Sequence, residues 1–234
     1  MKAGPDPSWK LLYAIGGASA LLYAIMIIVP LTLVFAFPQP PGSGGAPVLE
    51  YIASRKAVYL VELVCFVGLS VPALVVFLSL SVALKDLNKS LASIGALLGC
   101  VSEVLALALN ASPPSLNGPL VYLSDQYAAA ATEAQRLALS TAAEGFIAGA
   151  NAVASAGILT ALGILILSLV MLKGVFRKGV AYLGIATGAV GMVFEALRPM
   201  IGFAYSLYGL LLLAWILVVG WKLYQISRSA RPAS

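Results

Sequence analysis

The chain has 234 residues, of which 61% are hydrophobic and only 10% charged, with a net charge of +5 and a mean hydropathy of +1.00. A soluble domain carries about 25% charged residues to wet its surface, so a globule in water is excluded and a lipid-facing surface is implied. The absence of histidine also removes His-based zinc sites, histidine ligation of haem and every Ser–His or Cys–His nucleophile pair.

Six apolar runs each supply the roughly 20 helical residues that a 30 Å hydrocarbon core demands. They predict an all-α, polytopic membrane bundle with spans near 11–37, 57–84, 91–111, 142–172, 179–197 and 203–224, read as one transmembrane domain over 1–234. The runs are too long and too evenly apolar for barrel strands, which alternate lipid-facing and lumen-facing residues.

The first run, about 27 residues long, exceeds the 7–15 residues of a signal-peptide core, and is expected to stay as an uncleaved helix. Pro30 inside it, like Pro72 in the second run, is a place for a kink. Between these two spans, residues 38–47 are rich in proline and glycine and predict an irregular connection. The third and fourth spans are joined by a turn-rich segment from Ser112 to Pro119 and then by an Ala-rich stretch. The latter predicts a capping helix near 124–140, continuous with or just ahead of span four.

Basic residues set the orientation. With the N-terminus inside, Lys2, Lys10, Lys85, Lys89, Lys173, Arg177, Lys178, Lys222, Arg228 and Arg231 fall on the cytoplasmic side, and only Arg55, Lys56, Arg136 and Arg198 fall outside. Both termini are therefore expected in the cytoplasm, and a multi-pass protein of the plasma membrane is expected. The positive charge is read as topology rather than as a nucleic-acid surface, since no basic stripe with stacking aromatics is present. Cys65 and Cys100 both sit inside apolar runs, so no disulfide framework is indicated.

Four glutamates lie within the apolar runs: Glu62, Glu103, Glu144 and Glu195. An ionisable side chain in a span costs roughly 2.5–3.5 kcal/mol near the bilayer centre and marks a functional site by default. Counting about 1.5 Å per residue from the inner end of each helix puts Glu103 about 20 Å up, Glu195 about 24 Å, Glu62 about 33 Å and Glu144 about 42 Å. Asn110, Asn151 and Arg198 stand roughly 28–32 Å up on the same rise. The expectation is a pair of deep acids, Glu103 and Glu195, beneath a ring of Glu62, Asn110, Asn151 and Arg198, with Glu144 above it at a solvated helix start.

Small residues share the helical face of several of these groups: Gly95, Gly99 and Glu103 on span three, and Gly184, Gly188, Gly191 and Glu195 on span five. On span four the set is Ser140, Glu144, Ala148, Asn151 and Ser155. Such faces let helices approach closely, which points the acids into the bundle. The GxxxG spacings at Gly95/Gly99, Gly145/Gly149 and Gly184/Gly188 are expected to serve packing within the chain. Glu195 and Arg198, three apart, are expected to form an ion pair. Glu103 has no local cation, and because desolvation disfavours a charged carboxylate it is the candidate proton carrier.

Carboxylates and amides without imidazole or thiolate suit protons or hard cations better than transition metals. The residues specify no cofactor and no particular metal. Three classes of function follow. The first is an outward-facing, carboxylate-lined pocket that binds or moves a proton, cation or small polar solute. The second is a structural or accessory subunit with a membrane protein partner or as a homo-oligomer. The third, supported by no nucleophile or phosphate motif, is a membrane-embedded hydrolase or transferase. The lipid bilayer is a partner in all three.

The layout of the spans, Glu62 near the outer end of span two, the turn-plus-helix loop before span four, the Lys173-Gly174-Val175-Phe176-Arg177-Lys178 connection leading to Leu183-Gly184, and Glu195 late in span five carry a likeness. The chain resembles a broad bacterial and archaeal family of small six-span membrane proteins of unassigned function. The resemblance implies the same helical fold and no particular activity. Family members often carry a histidine beside an acid at the start of span four; here Ala143 precedes Glu144, so a metal site built on that histidine does not transfer.

Overall fold

The structure, a computed structural model, describes residues 6–174 and 176–229. Lys2 and Arg231, used above for orientation, and Val175 of the inner connection lie outside the described residues. The described residues are all-α apart from one ladder of two-residue strands. Six helical stretches are long and apolar enough to cross a membrane: Pro7–Ala36, Lys56–Leu84, Lys89–Leu109, Glu133–Met171, Lys178–Ala196 and Ser206–Ser229. They correspond one to one with the six predicted runs, and their outer surfaces are greasy, with Phe35 92% exposed.

The interruptions have local causes. Helix α1 (Lys10–Ala36) continues through Pro30, and α2 (Gly45–Ser54) follows a short irregular stretch. Span two is broken into α3 (Lys56–Gly68) and α4 (Ser70–Leu84). Pro72 is the third residue of α4; it has no N–H to give the Gly68 carbonyl, and its ring crowds that carbonyl. Helix α5 (Lys89–Leu109) stops two residues short of the expected end, because Asn110 turns to φ +46°, a conformation asparagine tolerates.

Strands β1 (Ala111–Ser112) and β2 (Leu116–Asn117) then pair antiparallel, Ala111 opposite Asn117. The expected single outer helix over 124–140 is instead divided. Helix α6 (Gly118–Ala129) ends, and α7 (Glu133–Ala152) begins at a capping box in which Thr132 accepts from the Gln135 N–H while the Gln135 side chain accepts from the Thr132 N–H. That reciprocal pair holds Thr132 extended and so ends any continuous helix there. Helices α8 (Ala154–Met171), α9 (Lys178–Ala196), α10 (Arg198–Ile201) and α11 (Ser206–Ser229) complete the chain.

The chain divides into two units. The first comprises residues 1–25, 70–104 and 155–234; the second comprises 26–69 and 105–154. In the first, α5 meets α8 where Gly95 and Gly163 face each other, a Cβ on Gly95 standing 3.1 Å from the Gly163 carbonyl oxygen. Buried Ala161, Ile164, Leu167, Trp215, Ile216 and Val219 fill the interior of this unit.

In the second unit, α2, α6 and α7 pack on one another and α3 packs on both strands. Val48, Leu49, Ile52, Tyr59, Leu120, Ala143 and Ile147 form its core. The Ser124 hydroxyl donates to the Leu49 carbonyl at 2.7 Å, tying α6 to α2. Tyr59, fully buried, anchors the hairpin: its hydroxyl lies 3.0 Å from the Ser115 carbonyl and 3.1 Å from that of Asn117, and accepts the Asn117 N–H at 2.8 Å.

Removing that hydroxyl strands backbone groups in an apolar core, which costs about 1–3 kcal/mol for a buried polar group left unpaired. Tyr59→Phe is therefore expected to lower the thermal unfolding midpoint of the detergent-solubilised chain by several degrees. An unchanged midpoint would show that the hairpin does not depend on Tyr59.

Candidate functional site

The first unit brings together the two deepest predicted acids with partners that no periodicity announced. Glu195, 7% exposed, accepts from the Tyr205 hydroxyl through Oε1 at 2.6 Å and from Arg198 Nη1 through Oε2 at 3.3 Å. The Arg198 guanidinium also lies over the Tyr205 ring, 4.2 Å from its centroid, a favourable cation–π placement. The expected ion pair of residues three apart is thus present, and Tyr205 closes it into a triangle. Burial pushes the Tyr205 phenol well above its ordinary range although Arg198 opposes the shift, so the hydroxyl keeps its proton and serves as a donor. Gly157 makes the space: a Cβ there would stand 2.5 Å from the Glu195 carboxyl carbon.

Glu103, also 7% exposed, is compensated differently. Thr160 Oγ1 donates to its Oε1 at 3.1 Å, and the Ser70 hydroxyl faces it as well. Among the described residues no cation pairs with it. Beside it is a cavity of about 10 Å³ bordered by Tyr23, Phe77, Thr160, Ile164 and Trp215, at the lower limit for one water molecule, roughly 10–15 Å³. Tyr23 borders the same cavity as Glu103, and Tyr208 meets Tyr205 edge-on with ring centroids 5.7 Å apart.

The remaining predicted residues belong to the second unit. Glu62 is 5% exposed, and its Oε2 has no hydrogen-bond partner among the described residues. Asn110 and Asn151 are exposed rather than buried in a ring. Asn110 is committed to the chain reversal after α5, its carbonyl accepting the Gly118 N–H at 3.0 Å. Of the predicted span-four face, Ser140 is half-buried, whereas Glu144, Ala148, Asn151 and Ser155 are exposed; the buried residues of α7 are Ala143, Ile147 and Ala150. Glu144 is not at a helix start, since α7 begins at Glu133. Its Oε1 accepts the Gly45 N–H at 2.6 Å, supplying from another helix the cap that Gly44 has no side chain to provide.

The glycine spacings divide in the same way. Gly95, Gly99, Gly184 and Gly188 press on neighbouring helices, whereas a Cβ on Gly145 or Gly149 would meet nothing within 4 Å. Cys65 and Cys100 are free thiols.

Comparison with protein-family models, with curated proteins and with solved structures yields no match in any of the three. The likeness to six-span prokaryotic membrane proteins therefore rests on the sequence motifs alone.

Tyr205 and Thr160 are invisible to sequence reasoning for a simple reason. Tyr205 is ten residues from Glu195 and beyond a helix break, and Thr160 is an isolated hydroxyl in an apolar run. Hydrogen bonds to a charged group are worth about 1.5–3 kcal/mol. Tyr205→Phe is expected to reduce stability by that amount in chemical denaturation of the solubilised chain. A change below about 0.5 kcal/mol, the usual scatter of neutral surface substitutions, would remove Tyr205 from the site.

Proposed function

We propose that the chain is a multi-pass protein of the plasma membrane, with both termini in the cytoplasm, that takes up and releases protons at Glu103. One observation carries this reading: Glu103 is buried, held among the described residues by hydroxyl donors alone, and adjoins a void that fits a single water. A carboxylate in that setting can take up and release a proton without breaking an ion pair, whereas Glu195 is held by Arg198 and Tyr205. The void is too small for a solute or for a hydrated cation, so a proton is favoured over the wider range of cargoes that the composition allows. Tyr23 borders the same void as Glu103, and a bound water there can link the two through hydrogen bonds.

The chemistry is tested in proteoliposomes loaded with a pH-sensitive dye and energised by a potassium diffusion potential. Wild type is expected to acidify or alkalinise the lumen faster than protein-free vesicles, and Glu103→Gln, which keeps the shape but cannot carry the proton, is expected to lose at least about 90% of that rate. A wild-type rate no greater than that of empty vesicles would overturn the reading.

The orientation is tested separately with cysteines placed at Ser43 and Gln126, both exposed, in a background where Cys65 and Cys100 are serine. Both new thiols are expected to react with an impermeant maleimide on intact cells, while a thiol at Ser229 reacts only after permeabilisation. The reverse pattern would invert the topology.

A second reading, a structural or accessory subunit, has its own support in the open Gly145/Gly149 face of α7. Small residues four apart, with nothing packed on them, are the kind of face that transmembrane helices use to associate. Blue-native electrophoresis after mild extraction separates the two readings. A larger complex lost in Gly145→Leu favours the accessory role.

A further inference from the structure

The second unit contains three buried side-chain oxygens with no hydrogen-bond partner among the described residues: Glu62 Oε2, Asn117 Oδ1 and Ser115 Oγ. Their residues are 5%, 5% and 0% exposed. Buried polar atoms in native proteins are almost always satisfied, and exceptions call for a bound water or ion. All three lie on α3 or on the β1–β2 hairpin against which α3 packs.

The neighbourhood is defined by Tyr59. Its hydroxyl holds the backbone of Ser115 and Asn117, and Glu62 is one helical turn further along α3 on the same face. Helix α3 packs against both strands of the hairpin. On the far side, burial and then the Glu62 charge push the Tyr51 phenol above its ordinary range, with Arg55 opposing them, which sets Tyr51 within electrostatic reach of the carboxylate. The Tyr51 hydroxyl is engaged by the Pro38 carbonyl at 2.9 Å and so is not Glu62's donor.

The chemistry of the three atoms narrows the occupant. Asn117 Nδ2 donates to the Phe146 carbonyl at 3.4 Å, which fixes the amide so that Oδ1 is the free end. A carboxylate oxygen and an amide oxygen are acceptors only, and a serine hydroxyl can present a lone pair. Acceptors facing a shared ligand need a cation or a donor, and all-oxygen ligands are those of hard cations. A single carboxylate supplies one negative charge, and a buried site is least costly when its charges cancel. That balance selects a monovalent ion over a divalent one.

We propose that the second unit holds a site for a monovalent alkali cation, with Glu62, Asn117 and Ser115 supplying oxygen ligands against the β1–β2 hairpin. The site is independent of the proton reading at Glu103, because none of its residues belongs to that unit. Its role is to order the hairpin and α3 around the ion, and binding to the folded state alone raises stability in proportion to occupancy.

The test uses the full chain in detergent. Thermal unfolding is followed while Na⁺ replaces choline at constant ionic strength, and radioactive Na⁺ binding is measured in parallel. Wild type is expected to melt several degrees higher in saturating Na⁺ and to bind the ion saturably. Glu62→Gln is expected to weaken Na⁺ binding about tenfold or more, since it removes the only compensating charge. Asn117→Ala and Ser115→Ala are expected to weaken it by smaller steps, while Glu103→Gln leaves it intact. Loss of the Na⁺ effect in Glu103→Gln with its retention in Glu62→Gln would move the ion to the other unit and overturn the assignment. A midpoint that responds to Ca²⁺ and not to Na⁺ would overturn the monovalent choice. No cation response at all would mean that Glu62 is simply protonated and donates to a neighbouring oxygen, and the site would not exist.

Discussion

A carboxylate among apolar helices has to be neutralised, hydrogen-bonded or protonated, because the interior offers nothing that replaces its hydration. The four glutamates that fall within the apolar runs meet that constraint in different ways. Glu195 takes a cation and a phenol, Glu103 takes hydroxyls and a water-sized void, and Glu144 caps the start of another helix. Glu62 keeps one oxygen with no protein partner among the described residues. These partners set what each acid can do chemically. Protonating a carboxylate locked by arginine and tyrosine strands a partly buried cation, whereas one held by serine and threonine can take up a proton with no cation left unpaired.

The close approach of helices in the first unit serves the same constraint. Small residues at Gly95, Gly163 and Gly157 bring backbones and acids into contact, so the cost of burial is offset by tight packing and by short hydrogen bonds rather than by solvent. Inside lipid, packing and interhelical hydrogen bonds are the main forces holding helices together. A site built from them is therefore part of the fold, and substitutions that alter its chemistry also test the stability of the unit. In the second unit the equivalent work is done by a soluble-type core around Tyr59, Leu49 and Leu120, with a capping box and a hairpin that would be familiar in a water-soluble domain.

The number and type of helices could be read from the chain, because a 30 Å hydrocarbon thickness imposes a minimum apolar length that few other structures meet. The same is true of the buried faces of Gly95-Gly99-Glu103 and Gly184-Gly188-Gly191-Glu195, where a four-residue spacing of small side chains marks the side turned inward. The face of span four was misread because alanine and glycine occur all around α7, so its composition does not distinguish an inner from an outer side. The helical segment Gly45–Ser54 was hidden behind prolines and glycines that in fact only precede it or occupy its first turn, where proline is tolerated.

By itself, the amino-acid sequence determined the fold class, the six apolar helices, the lack of imidazole chemistry and the ion pair between Glu195 and Arg198, since each depends on composition or on residues within one helical turn. Only the tertiary structure decided which acids share an interior. Tyr205 and Thr160 are contributed by other elements to Glu195 and Glu103, and the helix that carries Glu62 packs on the distant hairpin of Ser115 and Asn117. Those partnerships arise from how separate helices meet, and contacts between segments tens of residues apart leave no periodic trace along the chain.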